Sequence, residues 1–332
     1  MIVDCHAHVV PEPLLAEVAG GAWDGVTARH TDNGWLVSLP GTGERLVRER
    51  MCRAERRLEY LAGTGIDRQV VSPWLDVQPT AGMSPGAARS WARRLNEALR
   101  EHTGEGTAGR LATVALDDPD TAAADLAEEI TRHGMSGLVL STDPANATTL
   151  ADPRLEPLWT VAAELGIPVL LHPSADGPSR VLPDSDEFAN AYCRLVDTSF
   201  ALARLLLSGV LDRHPALRLV TVHGGGLVPF QSGRLDGAHR ADRLAAHRIE
   251  RDRPSDYLAD LYYDTVALSA PAIRFLVDLV GPDRVLLGSD YPFALGDPDP
   301  VGTVTAAGLT PAATTAVLGG TVTGLIQGSV RA

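Results

Sequence analysis

Five side chains able to bind a metal or carry protons stand directly at the ends of short apolar runs. The run at residues 2–5 leads into His6 and His8, runs ending at 171 and 222 lead into His172 and His223, and a run ending at 288 leads into Ser289 and Asp290. Two residues apart on an extended chain puts the His6 and His8 imidazoles on one side, so two nitrogens face one point. Taken alone, each feature has an ordinary explanation: a buried histidine is usually a hydrogen-bonded core residue, and an Asp after a strand is usually a helix N-cap. Four run ends that all carry His or Asp are better explained by a common mouth. Neutral imidazole and carboxylate at one centre suit zinc, and also manganese, iron or cobalt, with incomplete coordination leaving room for water or substrate. A divalent ion brings the pKa of a water toward about 7, and a nearby histidine can shuttle its proton. Gly224, Gly225 and Gly226, after His223, either let backbone approach a ligand or permit a tight turn.

These residues need strands to carry them. Apolar, β-branched runs recur at 2–5, 69–72, 111–116, 137–140, 168–171, 217–222, 261–266 and 285–288. Most are uniformly apolar rather than alternating, as in parallel strands buried on both faces. Helical stretches are predicted between them at 53–63, 85–101, 120–133, 155–165, 188–211 and 271–280. This alternation over the whole chain, 1–332, predicts one domain, a closed (β/α)8 TIM barrel, in which chemistry sits at the C-terminal ends of the strands. The alternative, an open doubly wound sheet, lacks a GxGxxG after its first strand. Residues 11–50 are too long for a simple connection and are expected to form an insertion or arm after strand 1, with a small hairpin at 35–39 and a place over the barrel mouth. The segment 234–256, dense in Arg and Asp, reads as an exposed helix or loop. Cys5 reads as a small residue on the back face of its strand.

Composition narrows the partners. A formal charge of −13 spread along 332 residues repels phosphate backbones and anionic lipid, so nucleic acid and membrane are excluded and a small molecule is the expected ligand. No apolar run approaches the roughly 20 residues of a membrane helix, and the N-terminus does not read as a signal peptide, so a cytoplasmic protein is expected. Cys5, Cys52 and Cys193 are widely spaced, with no CxxC pair, and read as reduced thiols.

The motifs DCHAHVVPE, LLHP, TVHGGG and LLGSDYPF, in this order and over nearly the full chain, resemble the amidohydrolase-2 branch of the amidohydrolase superfamily, that of aminocarboxymuconate-semialdehyde decarboxylase and related aromatic-acid decarboxylases. The resemblance implies one divalent ion, zinc first and manganese second, held by His6, His8, His172 and Asp290. His223 would stay off the metal as general base toward a water there, making His223 and Asp290 the catalytic pair. A substrate arginine on the arm would fall at Arg45 or Arg48, and Arg234 would reach a neighbouring active site in a homodimer. The activity implied is non-oxidative decarboxylation of a small unsaturated or aromatic carboxylic acid. A hydrolase or hydratase of a lactone, amide or enol would share the same ligands, and a barrel that binds without reacting is the reading from another class. Asp264, ending the seventh run, is expected to orient a histidine.

Overall fold

The computed structural model describes residues 1–143, 149–244 and 249–328. Eight parallel strands form one sheet: β1 (Val3–Val9), β5 (Arg68–Pro73), β6 (Thr107–Ala112), β7 (Gly137–Ser141), β8 (Pro168–His172), β9 (Arg218–Thr221), β10 (Tyr262–Asp264) and β11 (Val285–Leu286), paired in that order. The seam between the last and first strands is closed by backbone hydrogen bonds. Cys5 N–H donates to Leu287 O at 2.8 Å, Asp290 N–H to His6 O at 3.0 Å and His8 N–H to Tyr291 O at 2.8 Å. A sheet whose two edges bond to each other is a barrel, and this one is the (β/α)8 kind with helices around it.

The lumen is packed. Val3 and Cys5, Val70, Leu111, Val139, Leu170, Val220 and Leu286 form one cluster, with Tyr262 against it, so that every barrel strand contributes. Only the inside of a closed sheet gathers side chains from all its strands. Val322, Leu325 and Ile326 of the helix Thr321–Gly328 complete this cluster at the N-terminal end, leaving the opposite mouth for the site. A second, larger apolar layer, including Leu138, Leu140, Val169, Leu171 and Leu219 with helix residues such as Leu126, Trp159 and Leu202, glues strands to helices.

Several expected elements shift. The first strand is longer than its apolar run and carries His6 and His8 within it. Its pairing with β5 slips between Asp4 and Ala7, so two residues, Cys5 and His6, lie opposite Val70. This bulge explains how Cys5 joins the lumen cluster while His6, one residue on, also faces inward. Cys5 therefore lies inside the barrel, not on the back of its strand. The run at 111–116 becomes strand only up to Ala112, because β6 begins early at Thr107. The expected long helix at 188–211 is divided: a π-turn at Ala189–Cys193 precedes the helix Arg194–Leu206, and Gly209, at φ 73°, starts a separate short turn. A non-helical φ there is natural for glycine and ends the run.

The arm is more ordered than a hairpin. A helix, Glu12–Ala19, is followed by a three-stranded antiparallel sheet of β2 (Thr27–Thr31), β3 (Gly34–Ser38) and β4 (Arg45–Val47). Leu14, Leu15, Val37, Leu39 and Val47 bury against Trp74, Trp91 and Leu95, so the arm is docked on the barrel by its own apolar core. The charged stretch 234–256 begins in the helix Val228–Arg240; its residues 245–248 lie outside the described residues.

Candidate metal centre

His6, His8, His172 and Asp290 are brought together at the C-terminal mouth. One ligand atom from each lies within 4.8 Å of all the others, and all four residues are buried. His6 and His8 come from β1 and His172 from β8, four strands away across the ring, so the imidazoles meet over the lumen. Asp290 follows β11 in left-handed backbone, φ 56°, which turns its carboxylate back over the strands.

The hydrogen bonds on the outer nitrogens fix where the inner lone pairs point. His172 Nδ1 lies 2.8 Å from the Pro173 carbonyl, which can only accept, so Nδ1 carries the proton and Nε2 a lone pair. His6 Nδ1 lies 2.7 Å from the Asp264 carboxylate and His8 Nδ1 lies 3.0 Å from Ser72 Oγ. Those contacts turn both Nε2 atoms to the centre, where they stand 3.1 Å apart and 3.3 and 3.4 Å from Asp290 Oδ1. His172 Nε2 and Asp290 Oδ1 are buried without a hydrogen-bond partner. Buried acceptors aimed at one another are costly unless a cation sits among them, and three imidazoles with a carboxylate are a donor set suited to zinc or manganese. The residues present therefore fit a divalent ion.

The surroundings keep the ligands in binding form. Burial, reinforced by the neighbouring imidazoles, pushes His172 well below its ordinary value, and burial pushes His8 down to about 4. Burial alone would raise Asp290, but the charges and hydrogen bonds of His6, His223 and His8 outweigh it and hold the carboxyl well below the usual range. For His6, burial is outweighed by Asp290 and Asp264, and its pKa rises.

Asp264 does what was expected of it and more. Besides holding His6, its Oδ1 accepts from Gly224 N at 2.9 Å and Val266 N at 3.2 Å. Asp4 is a further positioning residue that sequence reasoning passed over. It accepts from His6 N, Ser289 N, Ser289 Oγ and Gln69 Nε2 at 2.9, 3.0, 2.5 and 2.8 Å, clasping β1 to β5 and to the segment bearing Asp290. Burial nevertheless raises its carboxyl to about 6.

His223 stands beside the group, not in it. Its Nε2 is 3.7 Å from Asp290 Oδ2, its Nδ1 is buried without a partner, and its backbone has φ 55°. The three following glycines also have positive φ, and a Cβ on Gly225 or Gly226 would strike Tyr263 at 2.8 Å or Ser199 Oγ at 2.6 Å. The run thus serves a tight turn packed on protein.

A cavity of about 570 Å³ opens above the metal group. His172, His223 and Asp290 form its floor, Trp74, Leu227, Phe230, Phe293 and Leu295 much of its wall, and Arg48, Asn190 and Arg194 supply polar groups. Phe293 also lies beside His8, the rings tilted at 55° with centroids 5.5 Å apart. Of the arginines expected to meet substrate, Arg48 lines this cavity. Arg45 does not; it pairs with Asp176 and, at 4.0 Å, with Asp76. Arg234 is exposed on the helix Val228–Arg240 and lies outside its own chain's cavity. Arg194 was missed, since a single Arg within a helical stretch carries no signal of its own.

Comparison with known proteins agrees with this geometry, matching the amidohydrolase family over residues 3–321. The chain belongs to that family. It is 25% identical over 305 residues to 2-amino-3-carboxymuconate-6-semialdehyde decarboxylase of Dictyostelium discoideum, covering 89% of this chain and 82% of that one. It is also 25% identical over 310 residues to 2-keto-4-carboxy-3-hexenedioate hydratase of a Sphingobium species, covering 90% and 86%. Among solved structures, 5-carboxyvanillate decarboxylase of Novosphingobium aromaticivorans, crystallised with manganese and 4-hydroxy-3-methoxy-5-nitrobenzoic acid, superposes with a TM-score of 0.78 over 98% of this chain and 96% of that one, at 21% identity.

Proposed function

We propose that this amidohydrolase-family protein is a divalent-metal-dependent carboxy-lyase that decarboxylates a small unsaturated or aromatic carboxylic acid without an oxidant. The observation that carries the reading is the composition of one cavity: a buried His6, His8, His172 and Asp290 group, an adjacent free imidazole at His223, apolar aromatic walls and guanidinium groups. His6, His8, His172 and Asp290 would hold the ion, zinc in the first instance and manganese in the second, which accompanies the neighbouring carboxyvanillate decarboxylase. When bound, the ion supplies Lewis-acid charge that polarises an oxygen of the substrate.

The chain's own residues do the rest. Trp74 and Phe293 confine a flat, conjugated acid, and Arg48 neutralises a carboxylate at the mouth. His223, within 3.7 Å of the Asp290 carboxylate, holds a proton for the carbon that loses its carboxyl group. The C–C bond breaks, its electron pair stays on the ring or chain carbon, that carbon takes the proton, and CO2 leaves. Arg234, exposed and outside its own cavity, suits a role in the cavity of a second copy, and the exposed Phe200, Leu227 and Phe230 nearby suit a homodimer face. Three separate free thiols accord with a cytoplasmic location.

The hydratase relative, matched over a comparable length, favours one second reading: addition of water to an unsaturated acid in the same cavity. Elemental analysis of the unchelated protein, paired with CO2 release from hydroxybenzoic and muconate-type acids, separates the two. About one equivalent of metal per chain with CO2 release is the expected result. Metal without CO2 transfers the assignment to hydration or hydrolysis, and no metal after reconstitution overturns both.

A further inference from the structure

We infer that Arg194 is a specificity-determining residue that selects acids bearing a second carboxylate besides the one that meets Arg48. The inference rests on the reading that an acid occupies this cavity with one carboxyl group toward the metal centre.

Four observations support it. The first is topology. Arg48 sits in the connection after β1 and Arg194 in the connection after β8, so separate elements bring two cations to one cavity. The second is rigidity. Arg194 Nε donates to Asn190 Oδ1 at 2.9 Å and Nη1 to the Pro173 carbonyl at 2.9 Å, which fixes the plane of the guanidinium. Pro173 O is also the acceptor for His172 Nδ1 at 2.8 Å, so the cation is registered to a metal ligand through one shared oxygen.

The third is unspent donor capacity. Nη2 makes no hydrogen bond to any described residue; its nearest carboxylate oxygen, Asp76 Oδ2, is 3.9 Å away. Asp76 is itself shared with Arg45, at 4.0 Å, and accepts from Ala175 N at 2.8 Å. An arginine held by its Nε edge with Nη2 left over presents its remaining N–H groups to a planar acceptor. The fourth is charge. Apart from the metal-group Asp290, no carboxylate among the described residues lines this cavity, whereas Arg48 and Arg194 both do. The Asp76 carboxylate that faces Arg194 is outside the cavity lining, beyond hydrogen-bond reach of Nη2 at 3.9 Å and shared with Arg45, so a second carboxylate on the same conjugated frame can take the Nη2 donors.

The alternative is that Arg194 merely holds Pro173 and thereby His172. Calorimetric titration of metal-loaded protein with benzoate and with isophthalate, which share a ring and differ by one carboxylate, tells the two apart. Wild-type protein is expected to prefer the diacid by about 10-fold or more, and Arg194→Gln to weaken the diacid by about 10- to 100-fold while changing the monoacid by less than about 3-fold. Metal content should be unchanged, and Arg194→Lys, which keeps the charge but not the planar fork, should retain part of the preference. Equal weakening of both acids with reduced metal content would assign Arg194 to the ligand shell and overturn the inference. So would wild-type protein that binds the two acids equally or binds neither. Because binding is read without turnover, absence of CO2 release would count against the carboxy-lyase reading and leave this result standing.

Discussion

At the residue scale, the proposed division of labour between ligands and proton carrier follows from which nitrogen is already spent. His6, His8 and His172 each commit Nδ1 outward, to Asp264, Ser72 and the Pro173 carbonyl, and offer Nε2 to the centre. His223 has no such anchor and lies beside the Asp290 oxygen. His223→Ala should therefore lower kcat by about 10²- to 10⁴-fold with metal content intact; parallel elemental analysis and steady-state rates check this, and loss of metal with activity would move His223 into the ligand set. Acid should also weaken the metal-free protein. Folded His8 stays neutral down to about 4, and burial holds His172 well below its ordinary value, whereas the same side chains in the unfolded chain take protons near 6.5. Between those values the unfolded state binds more protons at these two sites, so stability falls as pH drops through that window. His6, whose pKa rises on folding, and Asp4, whose carboxyl rises to about 6, oppose this, Asp4 chiefly below pH 6, so between pH 7 and pH 6 the two depressed histidines stand against His6. Denaturant midpoints of chelated protein at pH 7 and pH 6 test the sign, and a higher midpoint at pH 6 would contradict it. The ligands themselves were legible in the sequence because each directly follows or lies within an apolar strand. Arg194 and Asp4 were not, since their roles depend on contacts with residues 21 and 285 positions away.

At the element scale, strand order and strand count could be read from apolar runs, but strand ends could not. β1 continues through two histidines because its neighbours supply backbone partners, and the bulge at Cys5 and His6 has no counterpart in residue type. The arm's β2 is polar and β4 only three residues long, and both are held by docking of the sheet through Val37 and Val47, so their local pattern is weak. The end of β11 shows how closely elements must approach to make the centre. A Cβ on Gly288 would lie 2.9 Å from Asp264 Cβ and 3.1 Å from Val266 Cγ2. Gly288→Ala should push Asp264 off His6, lower metal affinity by about 10- to 100-fold and cost about 1–3 kcal/mol of stability. Competition titration against a chromogenic chelator reads the first effect and urea unfolding the second. Asp264→Asn should reproduce the affinity loss without the steric cost. A Gly288→Ala protein that is destabilised yet binds metal normally would detach the strand packing from the ligand geometry.

At the scale of the whole molecule, the arrangement of Arg234 turns a question of assembly into one of chemistry. The residue projects from an exposed stretch of the helix Val228–Arg240 whose neighbours Leu227 and Phe230 line the cavity and are also partly exposed, with Phe230 stacked on Phe275 at 5.0 Å between ring centroids. A monomer gains nothing from that placement, whereas a two-fold partner meeting this face would bring its own Arg234 toward the cavity mouth. Such an interface is isologous, so each copy lends one arginine and receives one. Arg234→Ala and His223→Ala homodimers should each be nearly inactive, but exchange of subunits at equal concentration should restore activity to about a quarter of wild type, because half the dimers are then mixed and each mixed dimer has one site with both residues intact. Light scattering before and after exchange establishes the dimer, and steady-state rates on the mixture establish the sharing. A dimer whose mixture stays inactive would confine Arg234 to its own chain, and a fully active Arg234→Ala homodimer would remove it from the site altogether, leaving Arg48 and Arg194 as the guanidinium groups that meet the acid.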